Sequence, residues 1–277
     1  MNYQHSYHAG NFADVFKHAI LVSLIEALQR KENGFCYIDT HAGGGLYDLT
    51  SGAAQKSKEY ASGIGLLLSE KTPLEGLHTY LTCIKKVNPD TQLRHYPGSP
   101  YIAQCLLRPQ DRMVLSELHP TVYQTIKETF AHHKQVSVHR LDAYQSLKAF
   151  LPPKERRGLI LIDPPYEQNN EFSQLISTIP LALKRFATGV YAIWYPIKDR
   201  PPIERFYKEL KKLIEQPILV AELCIYPETS AQHLNGCGML IINPPWQLDA
   251  QIKGYLPQLW SILSPQNSGQ QRVFTLT

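Results

Sequence analysis

Residues 35–45 read Phe35-Cys36-Tyr37-Ile38-Asp39-Thr40-His41-Ala42-Gly43-Gly44-Gly45, a short apolar run that ends on a carboxylate and opens into three glycines. An apolar run of this length bounded by a turn predicts a buried strand. Three glycines directly after it provide a tight turn and let the backbone approach a neighbour closely. Upstream, Phe12, Val15, Phe16, Ala19, Ile20, Leu24, Ile25 and Leu28 recur at helical spacing. Residues 11–30 are therefore expected to form a helix of roughly five turns, with Asn11 or Asp14 able to cap its start.

Downstream the rhythm breaks. Residues 48–96 read as helical pieces, such as 57–69 and 74–87, without a convincing strand, and are expected to form an inserted helical subdomain. The core then comprises residues 1–47 and 97–277. It resumes at Pro97-Gly98-Ser99-Pro100, where Ser99 reads as an N-cap and Pro100 as the first position of a helix over 101–107. Strands are expected at 113–117, 136–139, 158–163, 189–195, 218–226 and 237–243, with helices near 122–131, 144–150, 172–185 and 203–214. Strands and helices alternating in this way predict an open, mostly parallel α/β sheet.

With 277 residues, 43% hydrophobic and 19% charged, the chain can bury a large core and has the composition of an ordinary globular protein. A formal charge of +4 suits an anionic partner without demonstrating one. The five cysteines, at 36, 83, 105, 224 and 237, are widely spaced and never form a CxxC pair, so neither a disulfide framework nor a zinc site is suggested. The N-terminus lacks the apolar stretch of a signal peptide, and no apolar run approaches the length of a membrane span. A cytoplasmic, soluble protein with no membrane partner is expected.

In open α/β sheets, ligands bind beyond the carboxyl ends of the strands, where the strand order reverses. Four segments here end in suitable groups. The first strand ends at Asp39 and the glycine loop; the second ends at Glu117, suited to accept hydrogen bonds from ribose hydroxyls. The third leads to Leu141-Asp142-Ala143, where a carboxylate can meet an adenine amino group. The fourth ends in Leu161-Ile162-Asp163-Pro164-Pro165-Tyr166. Together they describe a nucleoside pocket with a reactive end. The dinucleotide fingerprint fails, because Gly43-Gly44-Gly45 is followed by Leu46 and Tyr47, and the acidic residue expected about twenty positions later is displaced. What remains fits S-adenosylmethionine, which has no pyrophosphate to cradle.

In Asp163-Pro164-Pro165-Tyr166 the two prolines hold the backbone extended without amide donors, so its carbonyls can only accept. A nucleobase amine is a poor nucleophile, because its lone pair is delocalised into the ring. A carboxylate and a carbonyl accepting its two N–H bonds favour a pyramidal nitrogen and aim the lone pair. Tyr166 offers a face on which the base can stack, usually worth about 1–3 kcal/mol. A rigid strand-to-loop turn with no chemistry is the competing interpretation of these residues. The pattern recurs in Ile241-Ile242-Asn243-Pro244-Pro245-Trp246, which closes a strand that runs antiparallel in the methyltransferase version of such a sheet. That copy is expected to be structural.

The stretches His8-Ala9-Gly10-Asn11, Asp14-Val15, Lys17-His18, Asp39-Thr40-His41-Ala42-Gly43, Tyr96-Pro97-Gly98-Ser99-Pro100, Glu117-Leu118-His119-Pro120 and Ile162-Asp163-Pro164-Pro165-Tyr166 resemble the bacterial large-subunit ribosomal RNA methyltransferase J family. The similarity extends over essentially the whole chain, including Arg185-Phe186-Ala187-Thr188-Gly189 and Asn243-Pro244-Pro245-Trp246. It implies a Rossmann-like class I S-adenosylmethionine-dependent methyltransferase sheet with an inserted helical subdomain, and methylation of N6 of one adenine in 23S rRNA. It implies cofactor contacts from His18, His41, Ser99, Glu117, Asp142, Ala143 and Asp163, with Asp163 as the catalytic acceptor. Tyr3, Pro164 and Tyr166 would face the target base. The implied partner is 23S rRNA, protein-free or early in assembly, with no obligatory protein partner. Leu46 departs from the pattern, since the family carries a basic residue just after the glycine loop, and that implied substrate contact does not carry over.

His5, His8, His18 and His41 match no standard metal spacing, and no metal is expected. Arg156, Arg157, Lys184, Arg185, Lys198, Arg200, Lys211 and Lys212 could track phosphates or simply form a solvated face. Within enzymes, the alternatives are a DNA adenine-N6 or an RNA guanine-N2 methyltransferase. Outside that class stand a nicotinamide-dependent oxidoreductase and a non-catalytic RNA-binding module.

Overall fold

Strand β1 (Cys36–Asp39) is buried along its whole length and pairs in parallel with β4 (Arg112–Ser116) on one side and β6 (Gly158–Ile162) on the other. Such two-sided burial is why its sequence is a continuous apolar run rather than an alternating one. The computed structural model describes residues 4–90, 92–168, 170–227, 234–265 and 268–276. Among these, the sheet is completed by β5 (Val136–His139), β7 (Val190–Ile197), β8 (Ile218–Cys224), β9 (Gly236–Ile242) and β10 (Gln270–Thr275), in the order β10-β8-β9-β7-β6-β1-β4-β5. The chain runs outward from β1 through β4 to β5, then returns to β6 and β7 on the opposite side. The strand order therefore reverses at β1 and β6. Register aligns Asp39 with both Leu115 and Leu161, so Asp39, Glu117 and Asp163 emerge at one edge.

β9 is antiparallel to both β7 and β8. Asn243, just past its end, consequently lies at the edge opposite Asp163, as expected for the second proline motif. Its side-chain Nδ2 donates to the carbonyls of Ala187 and Gly189, both at 2.8 Å, and its φ is +56°. The Asn-Pro-Pro-Trp copy thus ties down the loop that enters β7.

Helix α1 (Phe12–Gln29) is buried almost all round, and its start is capped by Asn11, whose side chain accepts from the amides of Ala13 and Asp14. It packs against α5 (Ser99–Leu106), α10 (Leu248–Leu263) and β9 on one side of the sheet. The other side is covered by α7 (Ala143–Phe150), α8 (Glu171–Arg185) and α9 (Arg200–Leu213). Helix α6 (Pro120–Thr129) connects β4 to β5. No described helix is long and apolar enough to cross a membrane.

The segment after β1 contains α2 (Gly52–Ser57), a 3-10 turn (Glu59–Ser62), α3 (Ile64–Ser69) and α4 (His78–Lys86). It is bracketed by β2 (Leu46–Asp48) and β3 (His95–Pro97), which pair antiparallel and which the sequence pattern does not reveal. Three-residue strands are too short to show a period. Ile64, Leu67, Leu77, Tyr80, Cys83 and Ile84 are buried in the same apolar cluster as α1 and α10.

One local expectation is corrected, and two elements lie beyond those expected. Gly98, not Ser99, is the cap of α5, and the Ser99 hydroxyl makes no capping bond because it donates to Asp39. α10 and β10 follow the last element expected from the sequence. Gly254 and Pro257 interrupt the helical pattern of α10, and β10 is a partly exposed edge strand with a weak alternation.

Candidate active site

The carboxyl edge opens into a cavity of about 1550 Å³. It is lined by every described residue assigned to the site from sequence: His18, His41, Ser99, Glu117, Asp142, Ala143, Asp163, Pro164 and Tyr166. Tyr3 lies outside the described residues.

The glycine turn supplies the floor. Gly43 and Gly45 have φ of +61° and +79°, a region that side-chain-bearing residues rarely adopt. A Cβ on Gly43 would also come within 2.4 Å of the Tyr47 hydroxyl. The amide of Gly43 donates to Glu117 Oε2 at 3.0 Å, and the amide of His119 to Oε1 at 2.8 Å, so the glutamate is fixed by backbone donors. Asp142 caps α7 through Oδ1, which accepts from Tyr144 and Gln145 at 3.0 and 3.1 Å. Its second oxygen is left for other donors. Ala143 stands at the first position of that helix, where the amide has no intrahelical acceptor.

Asp39 lies beneath this surface, fully buried. Its Oδ2 accepts from the hydroxyls of Tyr37 and Ser99, each at 2.7 Å, and its Oδ1 from the amide of His41 at 3.2 Å. Burial pushes its carboxyl up to about 6 despite these donors. Asp39 thus orients Ser99 and the turn that carries His41. Burial also drives the His41 imidazole down to about 4, against the pull of Asp163 and Asp142. His41 Nδ1 lies 3.3 Å from the amide of Asp163. With a neutral ring, Nδ1 accepts that bond and Nε2 carries the proton.

His18 is held from the other side. Its Nδ1 pairs with the Tyr96 hydroxyl at 2.7 Å, which meets the Tyr80 hydroxyl at 3.0 Å, and its ring stacks on Tyr96. Burial and the nearby Lys17 keep the imidazole neutral. His18 Nε2 is buried and has no hydrogen-bond partner among the described residues. A buried nitrogen in this condition is costly unless a ligand or water satisfies it.

Beyond the end of β6, Lys17 Nζ lies 2.6 Å from Asp163 Oδ2 and 2.9 Å from Asp14 Oδ1. Burial opposes the ammonium, but these carboxylates outweigh it and hold the lysine well above its ordinary range. Asp14 is buried too; His5 and Lys17 hold its carboxyl well below the usual carboxylate range. It accepts from His5 Nε2 at 2.9 Å and from the amide of Gly10 at 3.0 Å. From sequence, Asp14 is expected only as a possible cap, and Lys17 carries no expected role. One feature pointed to both: two charges at i, i+3 in a helix that is apolar on all faces need each other or a ligand. Tyr166 has φ of +50°, and its hydroxyl donates to the Trp194 carbonyl at 2.8 Å. Its ring meets Phe172 at 5.1 Å and Trp194 at 5.8 Å. Asp163-Pro164-Pro165-Tyr166 is therefore a rigid turn that also presents a fixed carboxylate and a fixed aromatic ring.

Of the eight basic residues singled out from sequence, only Lys198 lines the cavity. Arg157 donates to backbone carbonyls of Leu28 and Asn33, Arg185 to Lys148, and Arg200 to Glu222.

A sheet with this order, one antiparallel strand wedged between β7 and β8, and an acidic group at the end of each central strand define a class I methyltransferase. A family model described as "Ribosomal RNA large subunit methyltransferase D, RlmJ" matches residues 32–276. A ribosomal RNA large subunit methyltransferase J from Haemophilus influenzae is 45% identical over 278 residues, covering 100% of this chain and 99% of the relative. One from Escherichia coli is 43% identical over 273 residues, covering 99% and 98%. A crystal structure of a Legionella pneumophila protein superposes with a TM-score of 0.87 at 36% identity, over 97% of both chains. The chain belongs to the ribosomal RNA large subunit methyltransferase J family.

Proposed function

We propose that this chain transfers a methyl group from S-adenosylmethionine to the exocyclic N6 of an adenine in 23S rRNA, in the cytoplasm. The observation that carries this is the position of Asp163: at the reversal point of the sheet, beside a nucleoside-sized set of polar groups, with its neighbouring backbone stripped of donors by Pro164 and Pro165. The residues present fit the cofactor. Glu117, fixed by two amides, would accept from a ribose diol; Asp142 Oδ2 and the Ala143 amide would hold an adenine; His18, with its unsatisfied Nε2, Ser99 and His41 would offer neutral polar groups to the methionine end. When bound, S-adenosylmethionine supplies the electrophilic methyl group.

The rest is done by the protein. Lys17 holds Asp163 Oδ2, which leaves Oδ1 to accept one N–H of the target amine, while the Pro164 carbonyl accepts the other. The nitrogen lone pair is then directed out of the base plane. Tyr166, locked by Trp194 and Phe172, provides the stacking face, and Tyr3 is assigned to the same base. The base must leave its stack to arrive there.

Incubation with methyl-labelled cofactor and unmodified 23S rRNA fragments should yield N6-methyladenosine on nucleoside digestion and mass analysis. N2-methylguanosine, or transfer to DNA only, would replace the reading with one of the alternatives. Asp163→Ala should abolish transfer while S-adenosylhomocysteine still binds in calorimetry; near-normal turnover in this variant removes its assigned role.

A further inference from the structure

The cavity does not stop at the target base. Beyond Tyr166 its wall follows the carboxyl end of β7 through Trp194 and Pro196 to Lys198, then crosses to Tyr226 and Leu234. None of these residues has a place in holding the cofactor or the amine. β7 is parallel to β6, with Ile162 opposite Ile193, so Trp194 stands level with Asp163 and Lys198 four residues further out. At the usual rise this is roughly 13 Å along the strand direction, a distance spanned by the next nucleotides of a single strand.

The wall is built, not incidental. Asn235 is buried, and its Nδ2 donates to the Lys198 carbonyl at 3.0 Å. Its own carbonyl accepts from the amides of Ile225 and Tyr226, at 2.9 and 3.2 Å. One asparagine therefore fixes the backbones of Lys198 and Tyr226 relative to each other. An exposed ammonium beside aromatic and apolar surface is the combination that binds an unpaired nucleotide, with phosphate on the cation and base on the ring.

We propose that Trp194, Pro196, Lys198, Tyr226 and Leu234 form a second nucleotide subsite. It takes an unpaired ribonucleotide adjacent to the target adenine, with its phosphate at Lys198 and its base against Tyr226. This rests on the RNA methyltransferase reading above. The subsite explains how a flipped adenine is held in register: the neighbouring nucleotide is gripped along β7, the strand whose Trp194 carbonyl holds the Tyr166 hydroxyl.

The test uses the full chain and an RNA hairpin that the wild type methylates. Lys198→Ala should raise the Kd for RNA about five- to tenfold and lower the slope of log K against log salt by about one contact. Tyr226→Ala should raise it roughly tenfold or more, and Tyr226→Phe, which keeps the face, should restore near-wild-type affinity. S-adenosylhomocysteine binding should be unchanged in all three. With 2-aminopurine at either neighbour of the target base, wild type should change its emission on binding and Tyr226→Ala should not. RNA affinity and salt slope that stay at wild-type values in Lys198→Ala, or a 2-aminopurine response that survives Tyr226→Ala, overturn the subsite. If Tyr226→Ala fails to fold, Lys198→Ala decides alone, since its side chain is exposed. A wild type that transfers no methyl to any RNA overturns the underlying function instead.

Discussion

Replacing Lys17 by methionine, which keeps the length and apolar stem of the side chain, isolates the charge at the heart of the site. The lysine side chain is 7% exposed and bridges Asp163 at 2.6 Å and Asp14 at 2.9 Å. Removing one partner of a buried ion pair costs about 3–5 kcal/mol, because the other charge is left without compensation. Asp14 keeps His5 and the Gly10 amide, and Asp163 is 19% exposed, so the loss belongs at the low end, about 3 kcal/mol. For a domain of this size that corresponds to a fall in Tm of roughly 6–12 °C. The effect on turnover is separate. Lys17 is the side-chain partner of Asp163 among the described residues, and a carboxylate free to swing by about 1 Å loses on the order of a hundredfold in rate. Thermal denaturation, calorimetry with S-adenosylhomocysteine and methyl transfer to RNA measure the three quantities. Lower Tm, cofactor affinity within a few-fold of wild type, and turnover reduced about a hundredfold are expected. Turnover within threefold of wild type would refute the orienting role, and an unchanged Tm would refute the buried pair itself.

Asp163→Asn keeps the shape but turns one oxygen into a donor, so it should lose turnover nearly as fully as Asp163→Ala; single-turnover transfer to RNA measures this. Asn243→Ala removes two hydrogen bonds to the loop before β7 and should cost about 1–3 kcal/mol in urea denaturation, with transfer per folded molecule unchanged. For pH, the two perturbed groups on the first loop work against each other. His41 drops to about 4 when folded, so its contribution is present above pH 6.5 and lost as pH falls toward 4. Asp39 rises to about 6, so its contribution is present below 3.8 and lost as pH climbs through 6. Over the shared window the two offset one another. His41→Gln should unmask Asp39. The stability of wild type minus variant should then grow by up to roughly 3 kcal/mol from pH 4 to 7, less whatever solvent at the half-buried ring screens. A flat difference in a pH series of urea melts would show that the histidine is not buried neutral.

Much of the sheet was legible because central strands carry a local signature: Cys36–Asp39 and Gly158–Ile162 are apolar runs that end abruptly in polar turns. Long amphipathic helices such as α8 and α9 were equally plain. The edges were not. β2 and β3 exist because their pairing brings together the two ends of the helical segment between them, a relation between residues 46–48 and 95–97 that no local window contains. Within the site, side chains at strand ends announce themselves by position, which is why Glu117, Asp142 and Asp163 could be assigned roles from sequence. Lys17 could not be placed against Asp163, because the two lie 146 residues apart and meet only through the packing of α1 across the sheet. Ser99 shows the same limit: its sequence context reads as a helix cap, but a buried carboxylate from β1 takes the hydroxyl instead. An ionisable group buried without water outcompetes an exposed helix end for a donor.

The two proline motifs make the same point about direction. Asp163-Pro164-Pro165-Tyr166 and Asn243-Pro244-Pro245-Trp246 have nearly the same backbone chemistry: each ends a buried strand, each strips the following backbone of donors, and each includes a residue at positive φ. What separates them is that β6 runs with β1 and β9 runs against β7. The parallel copy delivers its polar residue to the edge where Lys17, His41 and Glu117 converge, and its aromatic ring is packed in place. The antiparallel copy delivers Asn243 to the far edge, where its amide is consumed by two backbone carbonyls and Trp246 is 81% exposed. A carboxylate substituted at position 243 would face the carbonyl oxygens of Ala187 and Gly189, which cannot donate to it. The identity of the first residue in each motif, acid in one and amide in the other, therefore follows from which end of the sheet its strand reaches.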